Sequence, residues 1–327
     1  MAPMNPPSPS SRPTGQTGQT LADLGEFGLI AALRELFPQG ERVLLGPGDD
    51  AAVLAAPEGQ VVVSSDVLVE GRHFRRDWAD AADIGHKAAA QNLSDLNAMG
   101  GRATALTVSL AAPPDLPVAW ALELAQGIAD EAALVGASVV GGDVTAADSV
   151  VIAVTVLGVA SRPVLRSGAK PGDVVALAGR QGWAEAGLAV LGRGFRSPRV
   201  LVEAHRRPEP PYAAGAAAAE AGATAMIDVS DGLLADLGHI AEDSGVAIDV
   251  DSATLDVAEP LRAVGAALNA DPLRFVLTGG DDHALAATFP PGATLPEGWR
   301  RIGTVAEGTG VTVDGKAYEG PAGHTHF

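Results

Sequence analysis

Aspartate beside glycine or serine recurs along this chain, and six such motifs stand out: GDDAA at 48–52, SSD at 64–66, NLSDL at 92–96, GGD at 141–143, DVSDG at 228–232 and GGDD at 279–282. Each falls where the hydrophobic pattern breaks, so each is expected at the end of a strand or helix. One such copy is ordinary turn chemistry, because Asp and Gly suit tight turns without any ligand. Six copies in one chain ask for a common reason. Carboxylates held close together raise one another's pKa, so a fold that gathers several needs cations among them. Hard oxygen ligands set among glycines suit Mg²⁺, which usually keeps phosphate oxygens and waters as well. The densest stretch runs from Gly46 to His73, where Asp49, Asp50 and Asp66 share one turn-strand-turn segment. The expectation is a Mg²⁺-phosphate site.

Composition narrows the partners. A formal charge of −18 with only three lysines argues against nucleic acid, whose phosphates are held by clustered Lys and Arg. With 47% hydrophobic and 19% charged residues, the 327-residue chain is long enough and apolar enough for two folded domains. It has no cysteine, which excludes disulfides, thiolate nucleophiles and cysteine-held zinc or iron-sulfur centres and is compatible with a reducing cytoplasm. The first twenty residues are rich in Pro, Ser, Thr, Gln and Gly with no apolar core, and read as a disordered tail rather than a secretory signal. The longest apolar run, near Val150 to Ala160, is too short to cross a bilayer. A soluble, cytoplasmic protein is expected.

Periodicity predicts a helix over Leu21 to Phe37 and a strand from Gln60 to Ser65 that ends in the polar Ser64, Ser65 and Asp66. A second helix is expected from Asp80 to Met99, capped by Asp80 and closed by Gly100 and Gly101. Its polar residues Lys87, Gln91 and Asp95 recur every fourth position, with Asn92 beside them, so they form one stripe. A carboxylate in the last turn faces the negative end of the helix dipole, and a cation near Asp95 would explain what propensity does not; a solvated helix face is the plain alternative. Strand 103–110, helix 118–134, a short strand 138–140 ending in GGD, and strand 149–159 follow. Turn-rich residues 162–173 mark the expected domain boundary, giving a first domain over 21–161 and a second over 162–327. In the second half, strands are expected at 174–178, 224–228 and 246–250, and helices at 183–191 and 233–243. No Walker A motif and no protein-kinase HRD or DFG set is present, so a bound nucleotide would be held through metals.

Taken in order, GPGDDAAV, SSDVLVEGRHF, KAAAQNLSDLNAMG, VVGGDV, RSGAKPGD, IDVSDGLLADLGHI and LTGGDDHAL resemble the signatures of the thiamine-monophosphate kinase family, over nearly all of the chain from about Leu21. The family is similar to the aminoimidazole-ribonucleotide synthetase superfamily. The resemblance implies an α/β (α+β), two-domain synthetase-like fold, whose N-terminal α/β domain pairs across a homodimer as a β-barrel and whose C-terminal domain is also α/β. It implies transfer of the γ-phosphoryl group of ATP to thiamine monophosphate, giving thiamine diphosphate, with several Mg²⁺ ions. By resemblance, Asp50, Ser64, Ser65, Asp66, Asp95, Asp143, Asp228 and Asp231 are metal ligands. Gly142, Asp143, Arg166 and Ser230 match ATP contacts, and His73, Asp281 and His324 match substrate contacts. Two positions depart from the family: Asp281 stands where Glu is usual, and His324 near the C-terminus stands where an aromatic residue is usual. Asp49, Asp282 and Lys87 are expected to support these residues from behind. No general base is expected, because a phosphate acceptor is already ionised at neutral pH and the loose transition state asks for positioning and charge neutralisation. The competing readings are other synthetases of the superfamily and a non-catalytic acidic metal-binding module.

Overall fold

The computed structural model describes residues 18–47, 51–57 and 59–324. Asp49 and Asp50 therefore lie outside the described residues, as do 325–327 at the C-terminus. The first half contains helices α1 (Leu21–Leu24) and α2 (Glu26–Arg34), a short hairpin of β1 (Val43–Leu45) and β2 (Val53–Leu54), then β3 (Val62–Val69), α3 (Ala81–Ala98), β4 (Arg102–Ala112), α4 (Val118–Leu134), β5 (Ser138–Ala146) and β6 (Val151–Val159). The single helix expected over 21–37 is broken at Gly25, whose φ of 72° lies in the left-handed region that glycine tolerates. Thr20, at the end of the expected tail, closes a capping box with Asp23.

Strands β3, β6, β4 and β5 form one mixed sheet in that order, with β4 and β5 parallel and the other pairs antiparallel. One face packs on α3 and α4, which cover a core that includes Leu93, Leu96, Leu106 and Ile152. The opposite face stays open, with Val63 and Val67 of β3 61% and 47% exposed. Helices α3 and α4 approach to backbone contact because each offers a glycine. A Cβ on Gly85 would lie 2.0 Å from the Leu124 carbonyl oxygen, and one on Gly127 would lie 2.1 Å from that of Ala82.

The second half supplies β7 (Val174–Ala178), α5 (Trp183–Gly192), α6 (Arg199–Arg206), α7 (Ala214–Glu220), β8 (Ala225–Val229), α8 (Leu233–Ser244) and β9 (Ala247–Val250). After these come α9 (Glu259–Leu268), α10 (Pro272–Thr278), β10 (Ala284–Phe289), β11 (Trp299–Ala306), β12 (Gly310–Val313) and β13 (Lys316–Ala317). Its seven-stranded sheet runs β13-β12-β9-β11-β7-β10-β8, antiparallel except for β12 beside β9. Strands β7 and β10 and the edge strand β8 are buried along almost their whole length, which is why they read as largely apolar runs.

Helix α3 joins the two halves. Almost all of it is buried, including Asp83, His86, Lys87, Gln91, Asn92, Ser94 and Asn97. Of the polar stripe, Lys87 meets the segment 205–215 of the second half, as do His86 and Asn97 of the same helix, while Asn92 and Asp95 face β3. Lys87 Nζ donates to the His205 carbonyl at 3.3 Å, and Asn97 Nδ2 donates to that of Pro211 at 2.9 Å. His86 Nε2 lies 2.7 Å from the Pro208 carbonyl oxygen while its Nδ1 lies 2.6 Å from Glu131, which also accepts from Tyr212 at 2.5 Å. Among the described residues no helix is long and apolar enough to cross a membrane.

Candidate active site

Strand β3 runs on to Val69, so Ser64, Ser65 and Asp66 lie mid-strand and not at the strand end expected from the sequence. The two-residue alternation of a strand then decides which of them share a face. Ser64 and Asp66 point toward α3: Ser64 Oγ donates to Asp95 Oδ2 at 2.6 Å, and Asn92 Oδ1 accepts the Asp66 backbone N–H at 3.1 Å. Ser65 points to the other face, where its hydroxyl donates to the Val154 carbonyl at 3.0 Å. The Ser65 side chain is thereby turned away from Asp66 and Asp95, so a ligand role for that hydroxyl finds no support in its placement.

Asp228, on the buried strand β8, completes a group with Asp66 and Asp95 at the seam between the halves. Burial first, then the charges of Asp228 and Asp66, push Asp95 up to about 7. Burial also raises Asp66, with Asp228 adding to it and His283, Gln91 and His73 opposing. These carboxylates therefore feel each other strongly. Among the described residues, however, no three acidic or histidine side chains already converge on one metal position. That suits an ion that takes part of its shell from phosphates and water.

Beside this group the loops after β8 and before β10 are knotted together. The Asp281 and His283 backbone N–H groups donate to the Ser230 and Val229 carbonyls at 2.9 and 3.2 Å. Both residues sit at positive φ, 70° and 54°. Asp231 accepts from the His324 N–H at 2.9 Å through its backbone, and its own N–H donates to Asp236 Oδ2 at 3.1 Å. So Asp228, Ser230, Asp231, Asp281 and His324 are drawn into one neighbourhood. Asp281 forms a partly buried ion pair with the buried Lys87, and His205 Nδ1 stands 3.7 Å from the same carboxylate. Burial works against the Asp281 charge, but Lys87 above all, then His205 and His283, hold its pKa below the ordinary range. His205 is kept neutral, pushed down to about 3 by burial and by Lys87.

His73 follows β3 in a turn where its Nδ1 accepts the Val69 N–H at 2.9 Å, which puts its ring proton on Nε2. Arg166 is exposed in the loop before β7, where its carbonyl accepts from Ser244 at 3.1 Å. Asp282 is not near the metal candidates in role: its Oδ1 accepts the Ala184 N–H at 3.0 Å and so caps the start of α5.

Gly142 and Asp143 lie elsewhere. GGD was expected just past a short strand, yet β5 continues through it to Ala146, and β5 is at the opposite edge of the sheet from β3. Asp143 is exposed there and accepts the adjacent Val144 N–H. It borders a cavity of about 440 Å³ lined by Ile30, Leu33, Phe37, Ala125 and Ile128, with Pro47 and Ala51 flanking the undescribed Asp49 and Asp50. Gly142 has a structural reason of its own, because a Cβ there would fall 1.8 Å from the Val108 carbonyl oxygen. Sequence reasoning did not single out His205, Asp236 or His283. For His283 the signal was present, since it directly follows GGDD; for His205 there was none.

Comparison with known proteins bears on the fold and the family. Residues 48–160 match the family described as AIR synthase related protein, N-terminal domain, and residues 170–316 match its C-terminal domain. The chain is 49% identical over 307 residues to a thiamine-monophosphate kinase of Mycobacterium tuberculosis, covering 93% of this chain and 92% of the relative. A solved thiamine-monophosphate kinase from Stenotrophomonas maltophilia superposes with a TM-score of 0.79 at 34% identity, covering 89% of this chain and 96% of that one. AaThiL, solved in complex with AMPPCP and TMP, gives a TM-score of 0.79 at 33% identity, covering 95% of this chain and all of that one. On fold, motif order and identity together, the chain belongs to the thiamine-monophosphate kinase family of AIR synthase-related proteins.

Proposed function

We propose that this protein transfers the γ-phosphoryl group of ATP to thiamine monophosphate, giving thiamine diphosphate and ADP, in the cytoplasm and with Mg²⁺. The observation that carries the reading is the 49% identity to a thiamine-monophosphate kinase over 93% of the chain. The AaThiL complex with AMPPCP and TMP supports the pairing of a nucleotide with a phosphate acceptor in this fold. Residues 21–161 and 162–327 are taken as the two domains, with the site between them.

The residues fit the ion. Asp66, Asp95 and Asp228 offer hard oxygens, and the upward push on Asp95 to about 7 is the strain that a divalent cation would relieve. Asp50, Ser64, Asp143 and Asp231 are the further candidate ligands. Bound Mg²⁺ would neutralise phosphate charge and hold donor and acceptor oxygens in line. The remaining work belongs to the chain itself. Lys87 pins Asp281 from behind, so that the carboxylate presents a fixed face to the substrate. His73 offers an Nε2–H donor beside Asp66. The apolar cavity next to Gly142 and Asp143 suits the nucleotide, and Arg166 and Ser230 are the further candidate ATP contacts. Direct in-line transfer is the expected course, because the acceptor phosphate is already ionised at neutral pH and needs no base to activate it. A homodimer is inferred from the open, valine-bearing face of the four-stranded sheet; a sedimentation mass of one chain at micromolar concentration would count against it.

The test is ADP release from Mg-ATP with thiamine monophosphate as acceptor, beside thiamine and no-acceptor controls, with the product identified by mass. Thiamine diphosphate formed only from the monophosphate is the expected result. Turnover with thiamine alone, or protein labelled by ATP without acceptor, would overturn the substrate or the direct transfer respectively.

A further inference from the structure

His283 follows the GGDD turn and belongs to none of the acidic motifs, yet it touches two of their side chains. Its Nδ1 lies 3.1 Å from Asp228 Oδ2, and its Nε2 lies 3.9 Å from Asp281 Oδ1. Both His283 and Asp228 are buried, with side chains only 6% and 7% exposed. The position is costly to build. His283 is a non-glycine residue at φ 54°, two residues after Asp281 at φ 70°, and its backbone N–H is tied to the Val229 carbonyl next to Asp228. The local fold thus spends backbone freedom to hold an imidazole against one particular carboxylate.

That carboxylate has no other side-chain donor among the described residues to fix its rotation, whereas Asp95 has Ser64 and Asp66 has Gln91. Nε2 of His283 meets no hydrogen-bond partner among the described residues. A ring whose purpose was only to satisfy the core would be expected to use both nitrogens. Here one nitrogen is left unpaired so that the other can face Asp228.

Resting on the reading of Asp228 as a metal ligand, we propose that His283 is a positioning residue for the divalent cation: its Nδ1–H orients the Asp228 carboxylate toward Asp66 and Asp95. Hydrogen-bond partners behind a ligating carboxylate fix its direction, and losing one typically costs about 10–100-fold in metal affinity. The donor at Nδ1 is what matters. Asparagine places an amide N–H close to the Nδ1 position and tolerates positive φ, whereas glutamine carries its amide one methylene further out.

The experiment is direct Mn²⁺ binding to the full-length protein, read by electron paramagnetic resonance of free Mn²⁺ and by calorimetry, with no turnover involved. His283→Ala is expected to weaken Mn²⁺ binding about 10–100-fold, and His283→Asn to restore it to within about threefold of the unsubstituted protein, a margin small against that loss. Thermal midpoints measured without metal check that each variant is folded. If His283→Ala does not fold, Asn against Gln decides: near-normal binding by Asn with weakened binding by Gln supports the role, and equal binding by the two overturns it. Unchanged affinity in a folded His283→Ala refutes the positioning role alone. Absence of Mn²⁺ binding in the unsubstituted protein refutes the metal reading of the acidic group, and the role of His283 with it.

Discussion

Asp95→Asn separates the stability of the acidic group from its function, and the sign of its effect depends on pH and metal. In the folded chain Asp95 is raised from 3.8 to about 7 by burial and by the neighbouring Asp228 and Asp66. Each tenfold change in proton affinity is worth ~1.4 kcal/mol, so ionising Asp95 in the fold costs on the order of 4 kcal/mol that the unfolded chain does not bear. A raised carboxyl pKa favours folding below the unfolded value, and that contribution is lost as pH rises through the folded value. Above about pH 7 the penalty is complete. Asparagine removes it; the Ser64 bond to the charged carboxylate is already part of that value, and exchanging the neutral carboxyl for an amide costs about 1 kcal/mol of hydrogen bonding. In EDTA the variant is therefore expected to be more stable than the parent by about 3 kcal/mol near pH 8 and by about 1 kcal/mol near pH 5.5. Urea denaturation at the two pH values reads this directly, and a thermal midpoint near pH 8 should rise by roughly 6 °C. The other raised carboxyls, Asp66, Asp83, Asp236, Asp282 and Glu185, remain in both proteins, so the difference reports on Asp95 together with the neighbours whose charge it feels. Adding Mg²⁺ with a non-hydrolysable ATP analogue should stabilise the parent and leave the variant nearly unmoved. A variant less stable than the parent near pH 8 in EDTA, or a difference that does not change with pH, would refute the reasoning.

Two further substitutions probe the frame of the site. Lys87→Met removes the cation from the Asp281 pair; breaking a buried pair costs about 3–5 kcal/mol, and because the Asp281 side chain is 35% exposed the loss in urea denaturation is expected at the low end, near 3 kcal/mol, with a raised KM for the acceptor; a loss below about 1 kcal/mol would show the pair to be idle. Gly127→Ala would gain about 1 kcal/mol in an isolated helix, but its Cβ would stand 2.1 Å from the Ala82 carbonyl oxygen, so the thermal midpoint should fall, and a rise would mean that the α3–α4 contact yields.

Much of this arrangement was legible in the sequence because the strongest signals were local. The caps of α3 at Asp80 and of α8 at Gly245, and the run of buried residues in β7 and β8, fall where periodicity and turn chemistry place them. The acidic motifs were read as element ends, and for SSD and GGD that was wrong. Both lie inside strands, because pairing with β6 and β4 continues the ladder through polar residues that propensity alone would exclude. The same strand pairing, invisible in one dimension, turns Ser65 away from Asp66 and carries Asp143 to the far edge of the sheet. Helices α6 and α9 were passed over, since prolines and arginines at their starts mask a short apolar face that only packing completes.

The placement of α3 explains why the acidic residues and the seam between the halves cannot be treated apart. Asp95 reaches its partners only if α3 lies against β8, and no acidic interaction can hold it there, because Asp66, Asp95 and Asp228 repel one another. The holding force comes from the rest of the same helix. Lys87 bonds the His205 carbonyl, His86 and Asn97 meet the carbonyls of Pro208 and Pro211, and Gly85 lets α4 close behind at backbone distance. The side chains His86, Lys87 and Asn97 are all buried, so each unmade bond would cost on the order of 1–3 kcal/mol. A helix built mainly of alanine and buried amides thus keeps three carboxylates together against their own charge, and that stored repulsion is what a cation-phosphate complex would release on binding.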